Sequence, residues 1–309
     1  MKRIAIFLIV FMLLWVSDSY GQQQATFSQY MFNMLAINPA YAGSQETLSA
    51  TALLRYQSIG VPGAPNTQTL SAHSPLRNEK VALGFLVIHD KIGVIDQVGI
   101  NAIYAYRLFL SSKNQRPKVL SFGLQAGFNT YNARYSELNM YNPGDPLFNS
   151  DIRQTTPNFG FGIYYYTDKY YAGISAPNLM YNVFERGQDF ETITQTNPIM
   201  FMGGYVFSLS RVVKLKPNFL VKLLDDKLVE IDLNANVSFD DVLWLGVSYK
   251  INSAVDLLTE IQVTNQIRIG YSYSFTTNSL NRVDLGSHEF MINYRFKYPK
   301  LGVVTPRHF

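Results

Sequence analysis

The residues whose types could carry catalysis or bind a metal are few in this chain and widely spaced. Cysteine is absent, and the histidines are His73, His89, His288 and His308. No pair of them has the spacing of metal ligands, and no cysteine is available to complete a site. A serine–histidine hydrolase could assemble only from distant parts of the sequence, an arrangement that the sequence leaves open. We therefore expect a non-enzymatic protein without a metal or another cofactor.

Opposite charges recur at positions that would face each other across predicted hairpins. If three-residue loops lie at 225–227, 252–254 and 263–265, the opposed pairs are Lys222 with Glu230, Lys250 with Asp256, and Glu260 with Arg268. Opposite charges directly across an antiparallel pair attract each other. They could form a structural ladder or line an ion-selective pore. A pore selective for one ion sign would carry mostly one sign of charge, so these mixed pairs favour the ladder.

The strands that would carry these charges are clearest in the stretch 229–251. From Val229 to Phe239 apolar and polar residues alternate without a break, and after Asp240 and Asp241 the alternation resumes. A period of two is typical of a β-strand, because successive side chains point to opposite faces. One face of the predicted hairpin is apolar and the other carries charge. A soluble sandwich could produce the same pattern, so the rest of the chain must decide between the two folds.

Composition and the first residues favour a membrane location. The 309-residue chain is 47% hydrophobic and only 16% charged, against roughly 25% charged residues in soluble domains. The segment 1–21 has the basic start, the apolar run and the small-residue site of a secretory signal peptide, and no later run is long enough for a spanning helix. The net charge of +4 is too small to indicate a nucleic-acid partner. An exported chain of alternating strands indicates an outer-membrane β-barrel.

The alternation predicts an all-β, transmembrane antiparallel barrel of about fourteen strands. The predicted strands are 46–56, 66–75, 80–89, 95–110, 117–131, 155–167, 169–177, 198–209, 217–225, 228–239, 242–251, 254–263, 265–276 and 287–298. An even number suits a single-chain barrel with both termini on the periplasmic side. The two longest connections, 132–154 and 178–197, then both fall on the extracellular side, and the opposite connections are tight. This agreement makes a soluble sandwich a poor explanation.

A leader precedes the first strand. Five apolar residues recur at helical spacing and predict a short amphipathic helix over 26–35; they are Phe27, Tyr30, Met31, Met34 and Leu35. The run Asn38-Pro39 then predicts a turn, and Tyr41-Ala42-Gly43 leads into the barrel. The leader could be packing, or it could plug the lumen or dock a partner.

Two motifs resemble a known family. The runs Phe27-Ser28-Gln29-Tyr30-Met31-Phe32-Asn33 and Asn38-Pro39-Ala40-Tyr41-Ala42-Gly43, with the terminal Thr305-Pro306-Arg307-His308-Phe309, are similar to those of the PorP/SprF outer-membrane proteins. That family belongs to the type IX secretion system of Bacteroidota. The resemblance covers the whole mature chain, and the Asn-Pro-Ala-Tyr-Ala-Gly run is its most specific signal.

The resemblance implies a component of protein export and, in some members, of gliding motility. Its expected partners are outer-membrane lipid, a secreted adhesin or other cargo held by its C-terminal sorting domain, and secretion components on the periplasmic side. The alternative is a transport barrel for small solutes. We divide the chain into a signal peptide (1–21), a periplasmic or plug-like leader (22–43), the barrel (44–298) and a periplasmic tail (299–309). In the tail, Arg307 and Phe309 are further candidates for partner contacts.

Overall fold

The computed structural model describes residues 27–111, 118–137, 151–179, 182–184, 193–195, 198–224, 227–278 and 282–296. The predicted signal peptide, the first residue of the predicted leader helix and the tail with Arg307 and Phe309 lie outside the described residues.

Fourteen antiparallel strands close into a barrel. The first seven barrel strands are β1 (Ser49–Tyr56), β2 (Asn66–Pro75), β3 (Val81–Ile92), β4 (Ile95–Phe109), β5 (Val119–Ala133), β6 (Ile152–Tyr166) and β7 (Tyr170–Ala176). A separate hairpin follows, made of β8 (Asn182–Phe184) and β9 (Ile193–Gln195). The barrel continues with β10 (Ile199–Tyr205) and its short continuation β11 (Phe207–Ser208), and then with β12 (Val213–Leu224), β13 (Lys227–Phe239), β14 (Leu243–Lys250), β15 (Ala254–Gln262), β16 (Ile267–Thr276) and β17 (Ser287–Arg295). The pairing of β1 with β17, and of β10 with both β7 and β12, completes the ring.

The alternation in the sequence separates an outer face from an inner one. On β13 the outward Leu233 is 50% exposed, whereas its neighbours Asp232 and Asn234 are buried. The same division holds on β14, where Val247 faces outward and Ser248 is buried. Apolar side chains therefore cover the outside and polar ones line the lumen, the arrangement of a barrel whose solvent is lipid.

The two ends of the barrel differ in their connections. The longest connections, 134–151, 177–198 and 277–286, all lie at one end, which we call the long-loop end. The other end, the short-turn end, has tight connections such as 167–169 and 240–242. The strands also differ in length: β4, β5 and β6 have 15 residues each, whereas β1 has 8 and β7 has 7. The wall is therefore high on one side and low on the other.

The predicted fourteen-stranded barrel is confirmed, with differences at particular strand ends. The strand predicted from residue 217 begins four residues earlier, at Val213, so that Pro217 lies inside β12. Proline lacks the N–H group that donates to a neighbouring strand, so an internal position is unusual for it. The hairpin of β8 and β9 lies within the predicted loop 178–197 and is not among the predicted strands. No helix among the described residues is long and apolar enough to cross a membrane.

Candidate functional site: the occupied lumen

The leader lies inside the barrel, in three short 3-10 turns. The turns are Tyr30–Phe32, Met34–Ala36 and Pro39–Tyr41. The prediction of one amphipathic α-helix is wrong, since Asn33 has non-helical backbone angles (φ −132°, ψ 55°) and separates the first two turns. From Phe27 to Gly43 every residue except Phe32 is buried. A segment enclosed by the wall on all sides has no solvent-facing side, so its apolar residues need not form a single stripe. We call residues 27–43 the plug.

The first residues of the plug are anchored near the long-loop end. The carboxylate of Glu289 accepts the backbone N–H groups of Ser28 (3.0 Å) and Gln29 (2.7 Å), one on each oxygen. Arg55, directly opposite Glu289 in the register of β1 and β17, forms an ion pair with it at 3.0 Å and donates to the Ser28 hydroxyl at 2.6 Å. Arg55 and Glu289 are 5% and 1% exposed. A buried carboxylate with these partners holds the start of the plug by charge-assisted hydrogen bonds.

The middle of the plug bonds to strands on different sides of the ring. The Tyr30 hydroxyl donates to Asn218 Oδ1 on β12 at 3.0 Å. Ser71 on β2 donates to Asn33 Oδ1 at 2.8 Å, and Ser175 on β7 donates to the Ile37 carbonyl. β2 lies across the ring from β7 and β12, which only β10 separates, so these bonds tie the plug to opposite walls of the lumen.

The Asn-Pro-Ala turn fits against glycines in the wall. Asn38 caps the third turn: its Oδ1 accepts from the Ala40 N–H at 2.9 Å, and Pro39 occupies the first helical position. Asn38 Nδ2 donates to the Ile163 carbonyl of β6 at 3.1 Å. A Cβ atom at Gly162 would overlap Asn38 Oδ1, and one at Gly123 would overlap the backbone of Ala40. These two glycines allow the plug to approach the sheet closely.

The plug leaves the lumen at the short-turn end. Gly43 has a φ of +79°, which favours glycine, and its N–H donates to His73 Nδ1 at 3.1 Å. The ring of Tyr41 contacts His73 edge-on, with centroids 5.4 Å apart, and packs in the same way on Tyr164. The plug therefore runs lengthwise through the barrel, from the Glu289 anchor to the start of β1.

The predicted charge pairs meet inside the lumen, two of them in a different register. Lys222 lies opposite Glu230, with a 3.1 Å ion pair, but a two-residue loop with a register shift after Lys222 produces this pairing. Lys250 lies opposite Ala254 and reaches Asp256 diagonally at 3.3 Å.

Arg268 likewise lies opposite Gln262 and reaches Glu260 diagonally at 2.8 Å. The expectation of directly opposed pairs is wrong for these two, because each hairpin turns at a different residue from the one assumed. Diagonal neighbours are still within reach of long side chains.

The sequence interpretation missed the anchor and the histidine contact, namely Ser28, Gln29, Arg55, His73 and Glu289. The inward direction of Arg55 and Glu289 can be read from the alternation of residues along their strands. Arg55 alternates with the outward Leu54 and Tyr56, and Glu289 with the outward Phe290. Charges on the inner faces of the first and last strands, which pair in any closed barrel, indicate a contact across the closure.

The histidines that the structure describes, His73, His89 and His288, all have contacts. Among the described ranges, no group of three His, Asp or Glu side chains lies where it could hold a metal ion. His73 Nδ1 accepts a hydrogen bond from the Gly43 N–H, and His89 pairs with Asp96 at 3.1 Å on the outer face. His288 contacts the Tyr271 hydroxyl.

The sequence matches the family model of the type IX secretion system membrane protein PorP/SprF over residues 19–294. The chain belongs to this family. The resemblance seen in the sequence is thereby confirmed, and the general role is that of a membrane protein of type IX secretion. No curated protein sequence matched.

Several solved structures match most of this chain at low sequence identity. The CymD monoaromatic hydrocarbon channel is 13% identical with a TM-score of 0.50, covering 90% of this chain and 95% of that one. A Pseudomonas aeruginosa FadL homologue is 12% identical, with a TM-score of 0.46 and coverage of 90% and 96%. The Acinetobacter baumannii outer-membrane protein Omp33 is 10% identical, with a TM-score of 0.45 and coverage of 81% and 98%. At these identities the likeness concerns the fold alone.

The PorP/SprF barrel lies in the outer membrane, as the sequence predicts. Outer-membrane barrels place short turns in the periplasm and longer loops outside the cell. The long-loop end of this PorP/SprF protein is therefore the extracellular end, and the plug crosses the lumen from the extracellular anchor at Glu289 to the periplasmic end at Gly43.

Proposed function

We propose that this PorP/SprF protein is a sealed outer-membrane scaffold and not a conduit. It binds a secreted protein at the extracellular end, through that protein's C-terminal sorting domain, and secretion components at the periplasmic end. The observation that carries the proposal is the plug: residues 27–43 fill the lumen lengthwise and are bonded at both ends and in the middle. A barrel of fourteen strands is wide enough to need such filling if the membrane is to stay closed.

The buried contacts of the leader support its role as a plug rather than as a free docking peptide. Phe27, Tyr30, Met31, Met34 and Leu35 are at most 6% exposed, so none offers an apolar surface to a partner. Asn38, Pro39, Tyr41 and Gly43 are buried in the same way. In this proposal partner contacts fall to the extracellular loops and to the periplasmic tail, with its Arg307 and Phe309, and residues 1–21 are removed on export.

A small-solute channel is the competing function. It would require the plug to leave the lumen, which would break the ion-paired anchor and leave Arg55 and Glu289 without their plug partners. Buried charges and donors that lose their partners are costly. The mixed signs of the lumen charges also fit a structural ladder better than a selective pore.

Two measurements on the intact protein separate these functions. After extraction in mild detergent, the scaffold should co-purify with large secreted and periplasmic proteins. The purified protein, inserted alone into planar bilayers, should pass almost no current. Steady conductance together with an absence of co-purifying proteins would contradict the scaffold and support the channel.

A further inference from the structure

One side of the barrel wall is built from short strands. β1 has 8 residues and β17 has 9. At a rise of ~3.4 Å per residue and a tilt of ~40°, a strand of the length of β1 has a vertical height of about 18 Å. The lipid-facing band of outer-membrane barrels is about 25 Å tall. About 7 Å of apolar surface must therefore come from residues beyond the strand, or the bilayer must thin.

The tall side of the same barrel shows where the lipid band ends. On β6 the outward side chains are apolar up to Phe159, which is 50% exposed, and Pro157. The next outward residues, Thr155 and Arg153, are polar and exposed. By the same rise and tilt, this change lies about 25 Å above the periplasmic end of the strand at Tyr166. The lipid-facing surface on the tall side is therefore about 7 Å higher than β1.

Two loops are joined by hydrogen bonds just beyond the long-loop ends of β1 and β17. The Ile59 N–H donates to the Gly286 carbonyl at 2.9 Å, and the Leu285 N–H donates to the Ile59 carbonyl at 3.0 Å. Asp284 accepts from the Ser58 hydroxyl and from the Gly286 N–H. The loops 57–65 and 282–286 thus continue the sheet as a short paired ribbon.

The paired ribbon presents apolar side chains outward. Leu285 is 68% exposed and Val283 is 64% exposed, while Asp284 between them is bonded to Ser58 and Thr276. Ile59 and Val61 are exposed beside them. The Leu285 carbonyl accepts from the Tyr273 hydroxyl at 2.6 Å, and the Tyr273 ring packs on the outward Phe275. The apolar surface of the ribbon is therefore continuous with the lipid-facing surface of β16 and β17.

We propose that the paired loops 57–65 and 282–286 insert into the outer leaflet and contact its acyl chains, so that they complete the lipid-facing band on the low side of the barrel. The apolar surface of the ribbon continues the lipid-facing surface of the strands, so both should contact the same acyl chains. Large exposed apolar patches in contact with water are rare. The inserted ribbon fixes the depth and tilt of the barrel in the membrane.

The absence of cysteine in the chain makes a direct test simple. The variants Leu285→Cys and Val283→Cys are labelled with a polarity-sensitive fluorophore, and the protein alone is reconstituted into liposomes. Ile292→Cys, outward on β17, is the lipid control, and Thr155→Cys on β6 is the aqueous control. Labels at 285 and 283 should show the blue-shifted emission of the Ile292 control and be quenched by brominated acyl chains. Emission and aqueous quenching like those of the Thr155 control would overturn the proposal.

A repeat in native outer membranes distinguishes lipid from a covering protein. A label at 285 that is lipid-like in both membranes supports acyl-chain contact. A label that is shielded in native membranes but water-exposed in liposomes would show that a protein covers the ribbon, and would also overturn the proposal. In liposomes of shorter-chain lipids the label at 285 should move toward water while the label at 292 stays in lipid.

Discussion

The two halves of the barrel wall hold the same plug in different ways. On β2–β7 the described inward charges, Asp90 and Arg107, lie near opposite ends of the strands, and glycines such as Gly123 and Gly162 let the third turn of the plug pack closely. On β12–β17 and β1 the inner face carries many charges, most of them in ion pairs. The pairs are Arg55 with Glu289, Lys222 with Glu230, Lys250 with Asp256, and Arg268 with Glu260, and Lys216 and Asp232 are buried on the same face.

The difference shows that steric fit holds the plug on one side of the lumen and charge-assisted hydrogen bonds hold it on the other. The neutral half tolerates close approach but offers few strong bonds, so the plug there depends on steric fit. The charged half supplies the anchor at Glu289, where one carboxylate satisfies two backbone donors and an arginine. A change of volume should therefore disturb the first half, and a change of charge the second.

The largest effect is expected for Glu289→Ala in the charged half. It leaves Arg55 buried without its ion-pair partner and the N–H groups of Ser28 and Gln29 without acceptors. Breaking a buried pair in this way costs about 3–5 kcal/mol. Urea unfolding in liposomes should show that loss, and planar-bilayer recordings should show new current as the plug loosens.

Glu289→Gln is the matched control, because it keeps the shape and an acceptor oxygen while removing the charge. It should lie between the wild type and Glu289→Ala in both measurements. Unchanged stability and conductance in the alanine variant would mean that the anchor does not hold the plug.

The sequence predicted the outer face of the barrel better than its contents. Strict alternation on β13 and β16 identifies a lipid-facing side, because every outward residue there contacts lipid whatever the rest of the chain does. The plug is different: the apolar spacing of Phe27, Tyr30 and Met34 suits a helix, but the surrounding wall determines the conformation. The registers at Lys250 and Arg268 also depend on where each hairpin turns, which local patterns specify weakly.

A smaller effect is expected for Gly123→Ala in the neutral half. The added Cβ would overlap the backbone of Ala40 and push the third turn away from β5. Overpacking of this kind costs typically about 1–3 kcal/mol. The variant should show a lower urea midpoint and a raised conductance.

Gly84→Ala on β3 is the comparison for that variant, because its Cβ would lie 3.3 Å from Ile103 and touch no residue of the plug at closer range. It should remain near the wild type in conductance. Equal currents from both alanine variants would show that the effect does not come from the plug.

The smallest effect is expected at the edge of the charged half, where Lys222 and Glu230 are 12% and 19% exposed. Lys222→Glu or Glu230→Lys alone should lower the free energy of unfolding by about 1 kcal/mol or somewhat more, because each places like charges directly opposite. The double exchange should recover most of the loss in a double-mutant cycle. The same exchange at Lys250 and Asp256 should recover little, because Lys250 also donates to Ser28 of the plug at 3.5 Å and Asp256 is fully buried. Recovery at the Lys222–Glu230 pair alone is expected if the inner charges depend on their contacts with the plug. Full recovery at both pairs would mean that the charges of this half interact independently of the plug.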